Sequence, residues 1–203
     1  MGWHLRVSRF GSTHHVFRQE NDNACGMACA LMLFQRLRGV KLNSQDAYRG
    51  YDAYGNQVGT RAGAAVGAIY DGSAGVWGVD MARYLRNSLG MPCTSYHGSY
   101  QECAKSALQT VGDGGVVLAS IGWYDTFVKG TFIAGRSSQN GAHWVLFDKV
   151  SSFAGTRYMV ASDPGDGHVH VFPIRENSAF WYEPDYGEGT RGGILEGLVH
   201  FPK

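Results

Sequence analysis

A chain of 203 residues with a net charge of +1 has room for one domain with a well-buried core or for two lobes sharing an interface; one unit spanning residues 1–203 is expected. Its 44% hydrophobic and 17% charged residues exclude intrinsic disorder, and its scattered charges leave neither a basic stripe for nucleic acid nor a polybasic patch for membrane insertion or binding. The 29 glycines, concentrated in residues 50–78 and after Gly112, predict long loops.

The opening MGWHLRVSRFGSTHH lacks the continuous apolar segment of a signal peptide, and no later apolar run is long enough to span a bilayer. A soluble product is therefore expected, either cytoplasmic or delivered by a secretion system that reads no cleaved signal. Arg6 stands where the myristoylation pattern wants Ser or Thr. Cys25, Cys29, Cys93 and Cys103 are too irregularly spaced for a disulfide scaffold, which points to a reducing compartment; Cys93 and Cys103 flank a loop and pair only where the compartment oxidises.

The first strong helix signal covers residues 25 to 38, where Ala28, Leu31, Met32 and Leu37 repeat near helical spacing and Gly39 can end the run. It is apolar on most sides and so reads as central. A polar, glycine-rich passage follows, with a short helix expected from Ala62 to Tyr70. GVDMARYLRNSLG predicts a further helix, carrying Met81, Leu85 and Leu89 at four-residue steps with Gly90 as its stop, and QECAKSALQTV another after Tyr100. From Gly114 the pattern becomes extended: GVVLASI, AHWVLFDKV, RYMVAS, GHVHVFPI and ILEGLVHF are short, rich in β-branched and aromatic residues, and punctuated by Gly, Ser, Asp and Pro. Helices first and strands afterward predict an α+β fold, with a helical half over about 17–112 packed on an antiparallel sheet or half-barrel over about 113–203. GWYDTFVKGTFIAGRSSQNG, between the first two strands, has the length of an active-site loop.

Cys25 opens the first helix, where the helix N-terminus lowers a thiol's pKa and makes it a better nucleophile. Gly26 clears the approach, and Gln19, six positions upstream of Cys25, can fold back so that its amide and the Cys25 N–H donate to an oxyanion. A catalytic cysteine also needs a distant histidine and an orienting third group. Pairing Val150 with Arg157 across SSFAGT sets Asp163 and Pro164 beside His143, so that Asp163 can fix the imidazole and stabilise its charged form opposite Cys25. Trp123 and Trp144 are candidates to line a substrate groove.

Taken together, Gln19, Cys25-Gly26, His143-Trp144-Val145 and Asp163-Pro164-Gly165 resemble the papain-like cysteine peptidases, above all the small bacterial ones related to bacteriocin-processing (double-glycine) peptidases. The similarity runs over about residues 17 to 174 and includes GVWGVDMARYLRNSLG and GGVVLASIGWY. It implies a papain-like fold, Cys25 as nucleophile, His143 as general base and acid, Asp163 as orienter and Gln19 in the oxyanion hole, with Gly26 and Asp163 in place of the Trp and Asn of many papain-like enzymes. No cofactor and no metal are implied. The implied partner is a peptide or protein substrate, and a secreted effector or toxin would add a cognate inhibitor or immunity protein. The same machinery also suits an acyltransferase, deamidase or isopeptidase. Two other classes make distinct predictions: a catalytically silent peptide-binding module, and a zinc domain built on Cys25, Cys29, His168 and His170.

Overall fold

A computed structural model describes residues 2–19, 24–42, 81–82, 85–86, 90–96, 100–122, 142–174 and 198–201. The expected helix at 62–70, the glycine-rich passage around it and the loop holding Trp123 lie outside the described residues.

Helix α1 (Cys25–Arg38) has the bounds its periodicity predicts, and residues 25–34 are all buried. Gly39 ends it in the left-handed conformation (φ 72°) that glycine adopts without a Cβ clash, and its N–H donates to the Gln35 carbonyl at 2.8 Å. Arg36 and Arg38 in the last turn suit the negative end of the helix dipole. Met81, Ala82, Leu85 and Arg86 are helical, and the Met91 N–H closes on the Leu85 carbonyl at 3.0 Å across Gly90, where the stop is expected. Helix α2 (Tyr100–Gly112) buries Cys103, Ala104, Ala107 and Val111, a stripe at helical spacing. Among the described residues no helix is long and apolar enough to cross a membrane.

The strands are β1 (Gly2–Val7), β2 (Thr13–Arg18), β3 (Thr94–Tyr96), β4 (Val116–Gly122), β5 (Ala142–Phe153), β6 (Thr156–Asp163), β7 (His168–Ile174) and β8 (Leu198–Phe201). Six of them form an antiparallel sheet in the order β3-β8-β4-β5-β6-β7, which with the helices makes an α+β fold. Side chains alternate between its faces. Val116, Leu118, Trp144 and Leu146 join the core around α1, whereas Val117, Ala119, Ile121, Val145 and Phe147 join the core that includes the α2 stripe. Helices thus cover both faces of the central strands, which explains why GVVLASI and HWVLF are continuously apolar instead of alternating with polar residues.

Two features depart from expectation. The chain does not begin with helices: β1 and β2 pair as a separate antiparallel hairpin, from Gly2↔Arg18 to Val7↔Thr13, packed on α1. Its histidines and arginines mask the strand pattern, and its order comes from tertiary contacts: Trp3 meets Phe17 edge-on at 5.3 Å, Trp3 Nε1 donates to the Leu42 carbonyl at 2.8 Å, and Arg6 Nε donates to the Gly167 carbonyl at 2.8 Å. The β5–β6 register also differs. Arg157 pairs with Ser152, not Val150, because the turn shrinks to Ala154-Gly155, both with positive φ (48° and 77°), as a two-residue hairpin demands. A bulge between Phe147 and Lys149 then shifts the register by one residue at Asp148.

Candidate active site

The bulge decides how His143 and Asp163 meet. Beyond it Leu146 pairs with Ser162, and continuing that register sets Asp163 level with Val145, diagonal to His143. Diagonal neighbours on one sheet face lie within reach of long side chains. His143 Nε2 donates to Asp163 Oδ1 at 2.7 Å, and both residues are buried. The same carboxylate oxygen accepts the Gly165 N–H at 2.7 Å, a local turn in which an aspartate bonds two residues ahead. The Asp-Pro-Gly sequence carries that turn signal, although its role in fixing the carboxylate was not read from it.

With Nε2 committed to Asp163, the imidazole has Nδ1 left for the Cys25 thiol, to which it is hydrogen-bonded. Cys25 opens α1 behind Ala24, which provides no side-chain cap, and no acid occupies the first turn. The positive end of the helix is therefore left to the sulfur. Backbone N–H groups of Trp144 and Gly26 also point to it, a contribution of Trp144 that sequence reasoning missed because any residue type supplies the same N–H.

Burial by itself pushes the Cys25 thiol up, but the hydrogen bond and charge of His143, helped by the two N–H groups, bring it below its ordinary 9.0. Burial likewise opposes charge on His143, yet Asp163 outweighs it, with help from Cys25, and raises the imidazole from 6.5 to about 10. The two shifts together favour thiolate and imidazolium. Cys29, four residues along, behaves in the opposite way: burial, reinforced by the negative charges of Cys25 and Asp163, pushes it well above 9.0 and keeps it a core thiol.

Gln19 is half-buried, and its backbone N–H donates to the Pro164 carbonyl at 2.9 Å, which sets residue 19 beside the Asp163 turn. Gly26 is buried in the first turn of α1. Trp144, expected at a groove, is 3% exposed and packs in the α1 core. Trp123 lies outside the described residues. The zinc quartet of Cys25, Cys29, His168 and His170 does not assemble: among the described residues the metal-capable group is Asp163, Asp166 and His170. Those three are already engaged, Asp163 with His143 and Gly165, and Asp166 with His170 at 3.1 Å and with the His168 N–H at 2.9 Å.

No protein-family model matches the chain, and no curated protein does. Among solved structures it is similar to one from Bacillus anthracis provisionally described as a C39-like peptidase, at 14% identity and a TM-score of 0.48, over 93% of this chain and 94% of that chain.

Proposed function

We propose that the chain is a cysteine peptidase that cleaves a peptide bond through an acyl-enzyme intermediate. One observation carries the reading: His143 joins the Cys25 thiol to Asp163 in a buried site where the thiol is pulled below its ordinary pKa and the imidazole lifted above its own. A thiolate attacks a carbonyl without waiting for a base, and the adjacent imidazolium then has a proton to give to the leaving amine. Cys25 attacks, His143 protonates the amine and later deprotonates the attacking water, and Asp163 holds the ring. Gln19, anchored beside Asp163 through Pro164, supplies its amide, together with the Cys25 N–H, to the oxyanion.

Iodoacetamide labelling across pH tests the ion pair. In the wild type, Cys25 alkylates at neutral pH while Cys29 does not. In His143→Ala the Cys25 rate at pH 7 falls about tenfold or more, because burial then acts on the thiol without its counter-charge. Equal rates in the two proteins would sink the mechanism. Mass spectrometry of a proteome treated with wild type and with Cys25→Ala then identifies the bond cut. An unchanged proteome with alkylation intact moves the assignment to acyl transfer, deamidation or peptide binding.

A further inference from the structure

A second chain of hydrogen bonds runs through the N-terminal hairpin to the bulge of β5. Ser8 Oγ lies 2.6 Å from Ser12 Oγ, Ser12 Oγ lies 2.7 Å from His14 Nε2, and His14 Nδ1 lies 3.0 Å from Asp148 Oδ2. The direction of its hydrogens follows from counting. The backbone N–H groups of Phe10 and Ser12 both donate to Ser8 Oγ at 3.2 Å and occupy its two lone pairs, so the Ser8 hydroxyl donates onward to Ser12. Ser12 in turn donates to His14 Nε2, and His14 Nδ1–H donates to Asp148. Every hydrogen points toward the carboxylate, and the Ser12 hydroxyl faces the basic nitrogen of a ring oriented by an acid. That is the relation which activates a serine for attack.

The relay borders open space. Ser12, His14, His15, Arg36, Asp148 and Lys149 are among the residues lining a cleft of about 480 Å³. Ser12 is partly exposed, whereas the His14 and Asp148 side chains are only 3% and 7% exposed, so the serine is the member presented to a ligand. Arg36 Nε stands 3.7 Å from the same Asp148 oxygen, and with Lys149 it adds positive charge to the lining.

We propose that Ser12 is a second nucleophile, activated by His14 and Asp148, which accepts acyl groups from carboxylic esters entering this cleft. Ser12 Oγ bonds to the carbonyl carbon while its proton passes to His14 Nε2. The cations of the lining counter the negative charge on the tetrahedral oxygen. The carbon–oxygen bond to the alcohol then breaks, the alcohol leaves with the proton from His14, and water hydrolyses the acyl-serine by the reverse proton path. None of these groups belongs to the Cys25 site, although the two sites share strand β5 and helix α1, which runs from Cys25 to the turn that holds Arg36.

The test uses the full chain carrying Cys25→Ala, so that it is independent of the peptidase reading. It is incubated with a fluorophosphonate, which forms a phosphorus–oxygen bond at an activated serine as fluoride leaves, and the adduct is located by peptide mapping. Ser12 is expected to label about a hundredfold faster than in the urea-unfolded chain, and Asp148→Asn is expected to remove most of that advantage. In parallel, adding Ser12→Ala should abolish p-nitrophenyl acetate turnover by the Cys25→Ala protein. No adduct at Ser12, or labelling no faster than in the unfolded chain, overturns the proposal. Should Asp148→Asn fail to fold, the ester assay decides: turnover unaffected by Ser12→Ala rejects the second nucleophile.

Discussion

Strand β5 carries one member of each of two histidine–aspartate couples, and the couples use opposite edges of the imidazole. His143 gives Nε2 to Asp163 at 2.7 Å and keeps Nδ1 for a thiol; His14 gives Nδ1 to Asp148 at 3.0 Å and keeps Nε2 for a hydroxyl. Both partners of the first couple stand on adjacent strands of one sheet, and the thiol hydrogen-bonded to His143 is on the first residue of a buried helix. The second bridges a separate hairpin and the sheet, and its carboxylate also faces Arg36. On the roles proposed above, the difference teaches how a nucleophile's acidity dictates its surroundings. A thiol can give up its proton before it meets substrate, so its site is built to hold two opposite charges in the dry interior. A hydroxyl keeps its proton until attack, so its site is a directed series of donors beside solvent.

Removing Cys25 should separate the two couples most sharply. Cys25→Ala is expected to lower peptide-bond cleavage by more than about 10³-fold, while fluorophosphonate labelling of Ser12 proceeds as before. If both are lost, the two sites are not independent.

Next in size is Asp163→Asn, which leaves the packing intact and removes the charge that raises His143. Cleavage should fall by about 10²-fold or more. The pH profile gives the sign. In wild type the charged pair is expected to exist from the lowered Cys25 pKa, below 9.0, up to about 10, where His143 loses its proton and cleavage should fail. Without Asp163 the imidazole deprotonates at lower pH, so the alkaline limb moves to lower pH. A limb that stays in place would mean that Asp163 does not govern the ring.

Asp148→Ala probes the other couple by stability. It leaves the buried His14 Nδ1–H without its acceptor and should cost about 1–3 kcal/mol in urea unfolding, with Cys25 alkylation unchanged. The smallest effect belongs to the turn between β5 and β6. Gly155 holds φ 77° in the turn that sets β5 against β6, and a Cβ there meets nothing within 4 Å, so Gly155→Ala should cost only the backbone strain of about 1–2 kcal/mol.

Much of this arrangement can be read from sequence where the signal is local. α1 is plain from its apolar period and from Gly39, and Cys25 is conspicuous at its start. The apolar runs of β4 to β7 are equally plain, and Asp163-Pro164-Gly165 marks the turn that ends β6. Where tertiary contact decides, sequence is silent. Trp3, His4 and Arg6 do not read as strand until Phe17, Leu42 and Gly167 are seen to receive them, and β3 is three residues long. The two-residue turn and the bulge at Asp148 each shift the β5–β6 register, so Val150 does not pair with Arg157 as expected, although His143 and Asp163 do meet. His14 and Asp148 are 134 positions apart, with no periodicity to connect them.

The hairpin has a mechanical consequence. The Arg6 guanidinium grips the Gly167 carbonyl and the Gln19 N–H grips that of Pro164, so the first strands of the chain clasp the β6–β7 turn at two points on either side of Asp166. The turn that follows Asp163 is thus braced by residues that precede Cys25 in sequence. A substitution that removes either contact is therefore expected to loosen the turn beside Asp163.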